Sequence, residues 1–350
     1  MLVETTLREA AVSDVPRLAR QAEEVGFDGL AQPELSHDSF LLVGLMATAT
    51  ERVRLATGVA IAFPRSPMIV AYLARDLQAL SGDRFALGLG TQVKGHIERR
   101  FSTPWDSPGP RLREYVQALR AIWAAWQDGS PLDFRGQFYG FTLMTPGFSP
   151  GPSEHRPIRI QTAAVNPFNI QLAGELCDGL RIHSFSTPEY IRDVIRPNLR
   201  IGAARTGRSL ADFEVIGGGF VATGPDDAQV EASREAARHR IAFYGSTRAY
   251  RPVLDHHGWG ALCTDLGRLV ARGRWDELAS LIPDEVLDTF CIAAPYDQIA
   301  ACIAARLGGL VDWVSISSLD HTTSQPDQLT QALADIRAIP GVGPTIPPCL

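Results

Sequence analysis

Short apolar runs alternate with amphipathic stretches from the start of the chain. LVETTL (2–7) reads as a strand and VPRLARQAEEVG (15–26) as a helix, with Leu18, Ala22 and Val25 at helical spacing, Ser13 as N-cap and Gly26 as its stop. FDGLAQP gives a second strand and DSFLLVGLMATATE a second helix. VRLATGVAIA is apolar throughout with a glycine inside it, the pattern of a strand buried on both faces. Ser66 and Pro67 supply an N-cap and a first-turn proline to PMIVAYLARDLQALSG. RFALGLG is the fourth strand and PRLREYVQALRAIWAAWQ the fourth helix. Strand then helix, four times without hairpin turns between, calls for parallel pairing through right-handed crossovers.

The alternation breaks at 128–157, a stretch rich in proline and glycine with LDFRGQFYGFT reading as a small hairpin, and we take it as an insertion. It resumes with strands IRIQTAA, DGLRIHS and FEVIGGGFVAT, each followed by a helix. A second, helical insertion is expected over about 246–290, then PYDQIAACIAARLGG and a last strand, DWVSISS. About eight strands and eight helices close a (β/α)8 barrel, the TIM barrel, over 1–320, with 321–350 as a C-terminal helix and tail packed on it. An open doubly wound sheet is the competing architecture.

Composition adds exclusions. With 45% hydrophobic and 21% charged residues the chain is ordinary for a globular protein, and a net charge of −6 disfavours a general nucleic-acid surface. The five cysteines (Cys177, Cys263, Cys291, Cys302, Cys349) are odd in number and form no C-x-x-C pair, which points to a reducing compartment; a cytoplasmic location is the expectation. The N-terminus lacks the pattern of a signal peptide and no run approaches a membrane span, so no membrane association is expected.

In a parallel barrel the working face lies at the carboxyl ends of the strands. That rule singles out Glu34, His37 and Asp38 in PELSHDSF, Gly58 onward after the third strand, Gly90, Thr91 and Gln92 after the fourth, and TAAVNP after the fifth. Locally, PELSHDSF fits a solvated turn at least as well as a catalytic set. A metal site is disfavoured, because the cluster offers one histidine with no second at ligand spacing, and His256 and His257 read as an exposed pair in an insertion. GLGTQ fails the dinucleotide fingerprint at Val93. In TAAVNP small residues precede a capping Asn166 and a first-turn Pro167, so the stretch fits either an anion site at a helix N-terminus or a plain cap.

AEEVGFDGLAQPE, RVRLATGVAIAFPRSPMIVA, LSGDRFALGLGTQVKGHIERRF, AGELCDGLRIHSFSTPEY and GRWDEL together resemble the luciferase-like monooxygenase superfamily, in its branch using the deazaflavin coenzyme F-420, from residue 1 to about 318. The resemblance implies a barrel with insertions, a homodimer, and a coenzyme lying across the carboxyl face. It implies a cis peptide at Gly58–Val59 behind the ring, contacts from Gly88, Gly90, Thr91 and Gln92, and a phosphate held by Ala163, Ala164, Val165 and Asn166. His37, oriented by Glu34 or Asp38, becomes the expected proton-transfer residue in a hydride exchange with a small to medium organic substrate. The insertions are expected to wall the pocket with Phe138, Phe141 and Trp259. Two other readings stand beside this one: a two-component monooxygenase using flavin mononucleotide (FMN), and a non-catalytic coenzyme carrier.

Overall fold

The computed structural model describes residues 1–7, 10–316 and 326–342. Eight parallel strands form its centre: β1 (Leu2–Thr5), β2 (Gly29–Gln32), β3 (Arg54–Thr57), β4 (Phe85–Gly90), β5 (Arg159–Ala164), β6 (Gly179–Ile182), β7 (Glu214–Ile216) and β8 (Trp313–Ser315). Each pairs with the next, and β8 returns to β1 in the register Leu2↔Trp313, Val3↔Val314, Glu4↔Ser315. The sheet closes into the expected (β/α)8 barrel, whereas a doubly wound sheet would leave two open edges.

The helices around it are α1 (Val15–Val25), α2 (Ser39–Ala49), α3 (Pro67–Leu80), α4 (Pro108–Asp128), α5 (Pro167–Leu176), α6 (Arg196–Thr206), α7 (Asp227–Gly245), α8 (Ile299–Leu307) and α9 (Pro326–Arg337). Their ends follow local chemistry. Ser66 caps α3 by accepting from the Met68 N–H, and Gly26 stops α1 at φ 109°, a left-handed conformation that costs glycine little. Ser13 does not cap α1; it lies in a 3-10 turn, Val12–Asp14, that leads into the helix. α9 packs on β1, α1 and α8; the rest of the expected C-terminal tail, with Cys349, lies outside the described residues.

FEVIGGGFVAT is not one strand. Gly217, Gly218 and Gly219 all take positive φ (102°, 131° and 104°), and a methyl group on Gly217 would come within 2.6 Å of the Ile182 carbonyl oxygen. The triplet ends β7 and turns the chain out of the barrel, where Phe220–Gly224 pairs in parallel with a strand not anticipated from sequence, Cys291–Pro295.

The segment 128–157 carries the expected hairpin, Phe134–Arg135 against Gly140–Phe141, and the Glu114 carboxylate accepts from the N–H groups of Gln137, Phe138 and Tyr139. From there the chain runs along α3, whose Tyr72, Arg75 and Gln78 donate to the carbonyls of Phe148, Gly151 and Arg156. It covers the outer surface of the barrel beside α3 and α4. Among the described residues no helix is long and apolar enough to cross a membrane.

Candidate active site

The barrel interior is polar. Glu4 on β1 accepts two hydrogen bonds from the Arg181 guanidinium on β6 (2.9 and 3.0 Å) and a third from the Ser315 hydroxyl (2.7 Å). Arg181 also donates to Gln161 on β5 (2.8 Å). Deeper, Glu214 meets Arg54, Arg159 and the Trp313 indole N–H. Burial pushes the Glu214 pKa up, but Arg54 and then Arg159 outweigh it and hold the carboxyl below its usual range. Charges this buried persist only when paired, so the network fixes the strands that bear it. Glu4 and Arg181 form the floor of a cavity at the carboxyl ends of the strands.

PELSHDSF sorts into three fates. Glu34 is buried at the cavity wall, where it accepts from the Ile61 N–H (2.8 Å) and pairs with Arg65 (2.7 and 2.9 Å). The Glu34 N–H donates to the Val59 carbonyl (3.3 Å), so Glu34 holds the chain just after the Gly58–Val59 peptide, which is cis, while the Gly58 N–H before it donates to the Gln32 carbonyl (2.7 Å). Asp38 caps α2 by accepting from the N–H groups of Phe40 and Leu41, and binds Arg65 at 2.6 Å. His37 is exposed and is not among the described residues that line the cavity.

At Asp38 burial raises the pKa, but the Leu41 N–H and Arg65 outweigh it, and the carboxyl ends below its usual value. Glu23 behaves alike: burial is outweighed by the N–H groups of Val53, Arg52 and Glu51. A carboxyl with a depressed folded pKa contributes stability that is present above its unfolded value and lost as pH falls through the folded one. With Glu214 that makes three such groups, so the melting temperature is expected to drop steeply below about pH 4. A melting temperature unchanged down to pH 3 would contradict this.

The cavity has a volume of about 470 Å³, within the usual range for a ligand site. One side is largely backbone and small residues, Gly58, Val59, Gly90, Thr91 and 163–166, with the longer side chains of Gln92 and, from the segment after β4, the exposed His96 and Arg100 also in the lining. Gly88 is not on that wall; its backbone lies against Thr57, which exchanges hydrogen bonds with it at 2.7 and 2.8 Å. Asn166 starts α5 without a side-chain capping bond, and Asn169, one turn further on, lines the cavity with a buried Oδ1 that has no partner among the described residues. The opposite side is aromatic and proton-bearing. His183 follows β6 and packs against Tyr244 (4.4 Å between ring centres) and Tyr250 (4.6 Å), with Phe220, Phe243 and Arg240 nearby on the wall. Burial pushes the Tyr250 phenol above its ordinary pKa.

Phe138, Phe141 and Trp259 do not line this space. The first two belong to the hairpin on α4, and Trp259 stacks on His257 (4.8 Å). His257 is half-buried rather than exposed, because its Nε2 lies 2.8 Å from the Thr187 hydroxyl. Sequence reasoning passed over His183, Asn169 and the charged floor. A signal existed for the last: β1, β3, β5, β6 and β7 carry Glu4, Arg54, Arg159, Arg181 and Glu214 inside otherwise uncharged short strands.

A closed barrel with a polar floor and, among the described residues, a deep cavity at its carboxyl face has the architecture in which (β/α)8 proteins place their ligand sites. The model of the luciferase-like monooxygenase family matches residues 3–312, and the chain belongs to that family. An uncharacterised protein of Mycobacterium tuberculosis is 48% identical over 292 residues, 83% of this chain and 86% of that one. A second protein of the same organism, provisionally named a coenzyme F-420-dependent oxidoreductase, is 30% identical over 299 residues, 81% and 84% of the two chains. Among solved structures, the coenzyme F-420-dependent tetrahydromethanopterin reductase of Methanopyrus kandleri superposes with a TM-score of 0.76 at 19% identity, covering 97% of each chain. The FMN-bound oxygenating component of a diketocamphane monooxygenase from Pseudomonas putida shares the fold at 0.66 and 16% identity, covering 99% of each.

Proposed function

We propose that the protein is an oxidoreductase that binds deazaflavin coenzyme F-420 in this cavity and exchanges a hydride with a small to medium organic substrate. The observation that carries the reading is the two-sided cavity, backbone and small residues on one wall and proton-bearing aromatic groups on the other; the relative at 30% identity named for this coenzyme supports it.

The residues present fit such a group. The Gly58–Val59 peptide and Gly90 offer a side-chain-poor surface to a flat ring: a methyl group on Gly90 would come within 2.7 Å of a Val59 methyl. Thr91 and Gln92 continue that surface. The lip 163–166 and the start of α5 would hold the phosphate, and the Asn169 Oδ1 would accept from a ribityl hydroxyl. A bound deazaflavin would supply a ring carbon that gives or takes two electrons as hydride, the part of the chemistry side chains cannot perform.

The protein orients the partners, excludes water and moves the proton. Glu4 and Glu34 are each committed to an arginine. Two histidines line the cavity, the exposed His96 and His183, and His183 is the one held in place by the residues around it: its Nδ1 accepts from the Phe185 N–H (2.9 Å), so the neutral ring carries its proton on Nε2. Phe220, Phe243, Tyr244 and Tyr250 suit a moderately apolar substrate.

Titrating the purified protein with F-420 and with FMN tests the assignment. Micromolar or tighter binding of F-420, well ahead of FMN, is expected. Tight FMN binding with none of F-420 would instead support the monooxygenase reading, and F-420 binding without turnover of any alcohol, aldehyde or unsaturated ketone would leave a carrier.

A further inference from the structure

Tyr190 is almost wholly buried (2% exposed), yet its hydroxyl reaches a carbonyl at the cavity lip, donating to the Val165 oxygen at 3.0 Å. Val165 and Asn166 both line the cavity, and the peptide unit between them carries the Val165 C=O on one edge and the Asn166 N–H on the other. In a trans peptide those two bonds point in opposite directions. A carbonyl held by Tyr190 therefore turns the Asn166 N–H away from Tyr190.

Tyr190 is itself fixed from several directions. Thr187 accepts the Tyr190 N–H on its hydroxyl (3.2 Å), and the same hydroxyl contacts His257. The His256 ring meets the Tyr190 ring edge-on at 5.6 Å. Directly after it, Ile191–Ile195 is a π-helical turn, a rare conformation that recurs next to functional sites. The helical insertion thus buttresses a phenol whose polar contact, among the described residues, is with the cavity lip.

We propose that Tyr190 is a positioning residue for the coenzyme's phosphate: it holds the Val165 carbonyl so that the Asn166 N–H is presented to that group. The inference rests on the coenzyme reading above. A buried phenol that merely satisfied its own hydroxyl would affect stability but would not distinguish ligands by their phosphate.

Fluorescence titrations of wild type, Tyr190→Phe and Asn166→Pro test it, each with a phosphorylated ligand and its phosphate-free counterpart: FMN against riboflavin, and F-420 against the same deazaflavin riboside without phosphate. Asn166→Pro removes the N–H itself, and the native φ of −88° and ψ of 149° at that position are compatible with proline. Both variants are expected to weaken the phosphorylated ligand roughly tenfold, as for loss of one charge-assisted hydrogen bond, with the phosphate-free ligand barely affected. Equal losses for both ligands, or none, would overturn the role of Tyr190. Should wild type bind phosphorylated and phosphate-free ligands alike, the phosphate seat falls with it; should wild type discriminate and Tyr190→Phe discriminate equally well, only the Tyr190 inference fails. If Tyr190→Phe shows no melting transition, Tyr190→Met, which also lacks the hydroxyl, takes its place by the same criterion, and an Asn166→Pro protein that discriminates as well as wild type overturns the proposal, since no Asn166 N–H then serves the phosphate.

Discussion

Turnover of the coenzyme-loaded protein is expected to fall by about 10²–10⁴-fold in His183→Ala, the usual contribution of a positioned general acid or base. The ring is held on three sides, by the Phe185 N–H at Nδ1 and by the Tyr244 and Tyr250 rings, so its position does not depend on substrate. Alanine would remove the proposed proton carrier and leave Gly58, Val59 and Gly90, the wall proposed for the coenzyme, unchanged, so coenzyme affinity is expected to change little. The loss should appear in kcat, and the pH dependence of the rate should lose one limb. His37→Ala is the matched control, since that exposed side chain lies off the cavity wall. The experiment is a set of single-turnover traces of coenzyme absorbance for both variants over a substrate panel. Wild-type kcat in His183→Ala, or the large loss in His37→Ala instead, would return the proton to the loop after β2.

Much of this molecule was readable beforehand, and the parts that were not share a cause. Apolar runs between amphipathic helices identify the barrel because each strand is buried on both faces and each helix on one, a rule that acts on neighbours in sequence. What PELSHDSF does is decided by Arg65, which lies on the loop after β3 and ties Glu34 and Asp38 together. Local sequence displays three polar residues at a strand end but not the cation that engages two of them. The same holds for the floor, where Glu4 meets Arg181 across the barrel, 177 residues away in sequence. FEVIGGGFVAT misled for a different reason. Apolar residues flank the glycines on both sides, and only the positive φ at all three shows that the run is a strand, a turn and a second strand in another sheet. Aromatic content was a poor guide to the pocket wall: Phe138 and Phe141 follow their hairpin onto α4, where Glu114 gathers its N–H groups.

Gly88→Ala is expected to destabilise the fold by about 3 kcal/mol or more, the high end of overpacking costs, because the conflict is with backbone. A methyl group there would stand 1.9 Å from the Thr57 carbonyl oxygen and 3.3 Å from the Arg181 side chain. Neither can yield cheaply. Thr57 sits in the β2–β3 ladder and exchanges hydrogen bonds with Gly88 itself, while Arg181 is held by Glu4 and Gln161. β3 and β4 would have to separate, opening the barrel at that seam. Gly90, two residues along and on the cavity wall, should respond differently. Its added methyl would meet a Val59 methyl at 2.7 Å, the end of a side chain that can shift, so the stability cost should be about 1 kcal/mol. Gly90 and Val59 both line the cavity, so the added methyl and the shifted Val59 side chain alter the wall proposed for the coenzyme, and affinity is what Gly90→Ala is expected to lose. Urea unfolding midpoints and coenzyme titrations on the two variants separate the cases: stability lost at Gly88, affinity lost at Gly90. A stable Gly88→Ala protein with weakened coenzyme binding would place Gly88 on the binding surface after all, as the family resemblance implies.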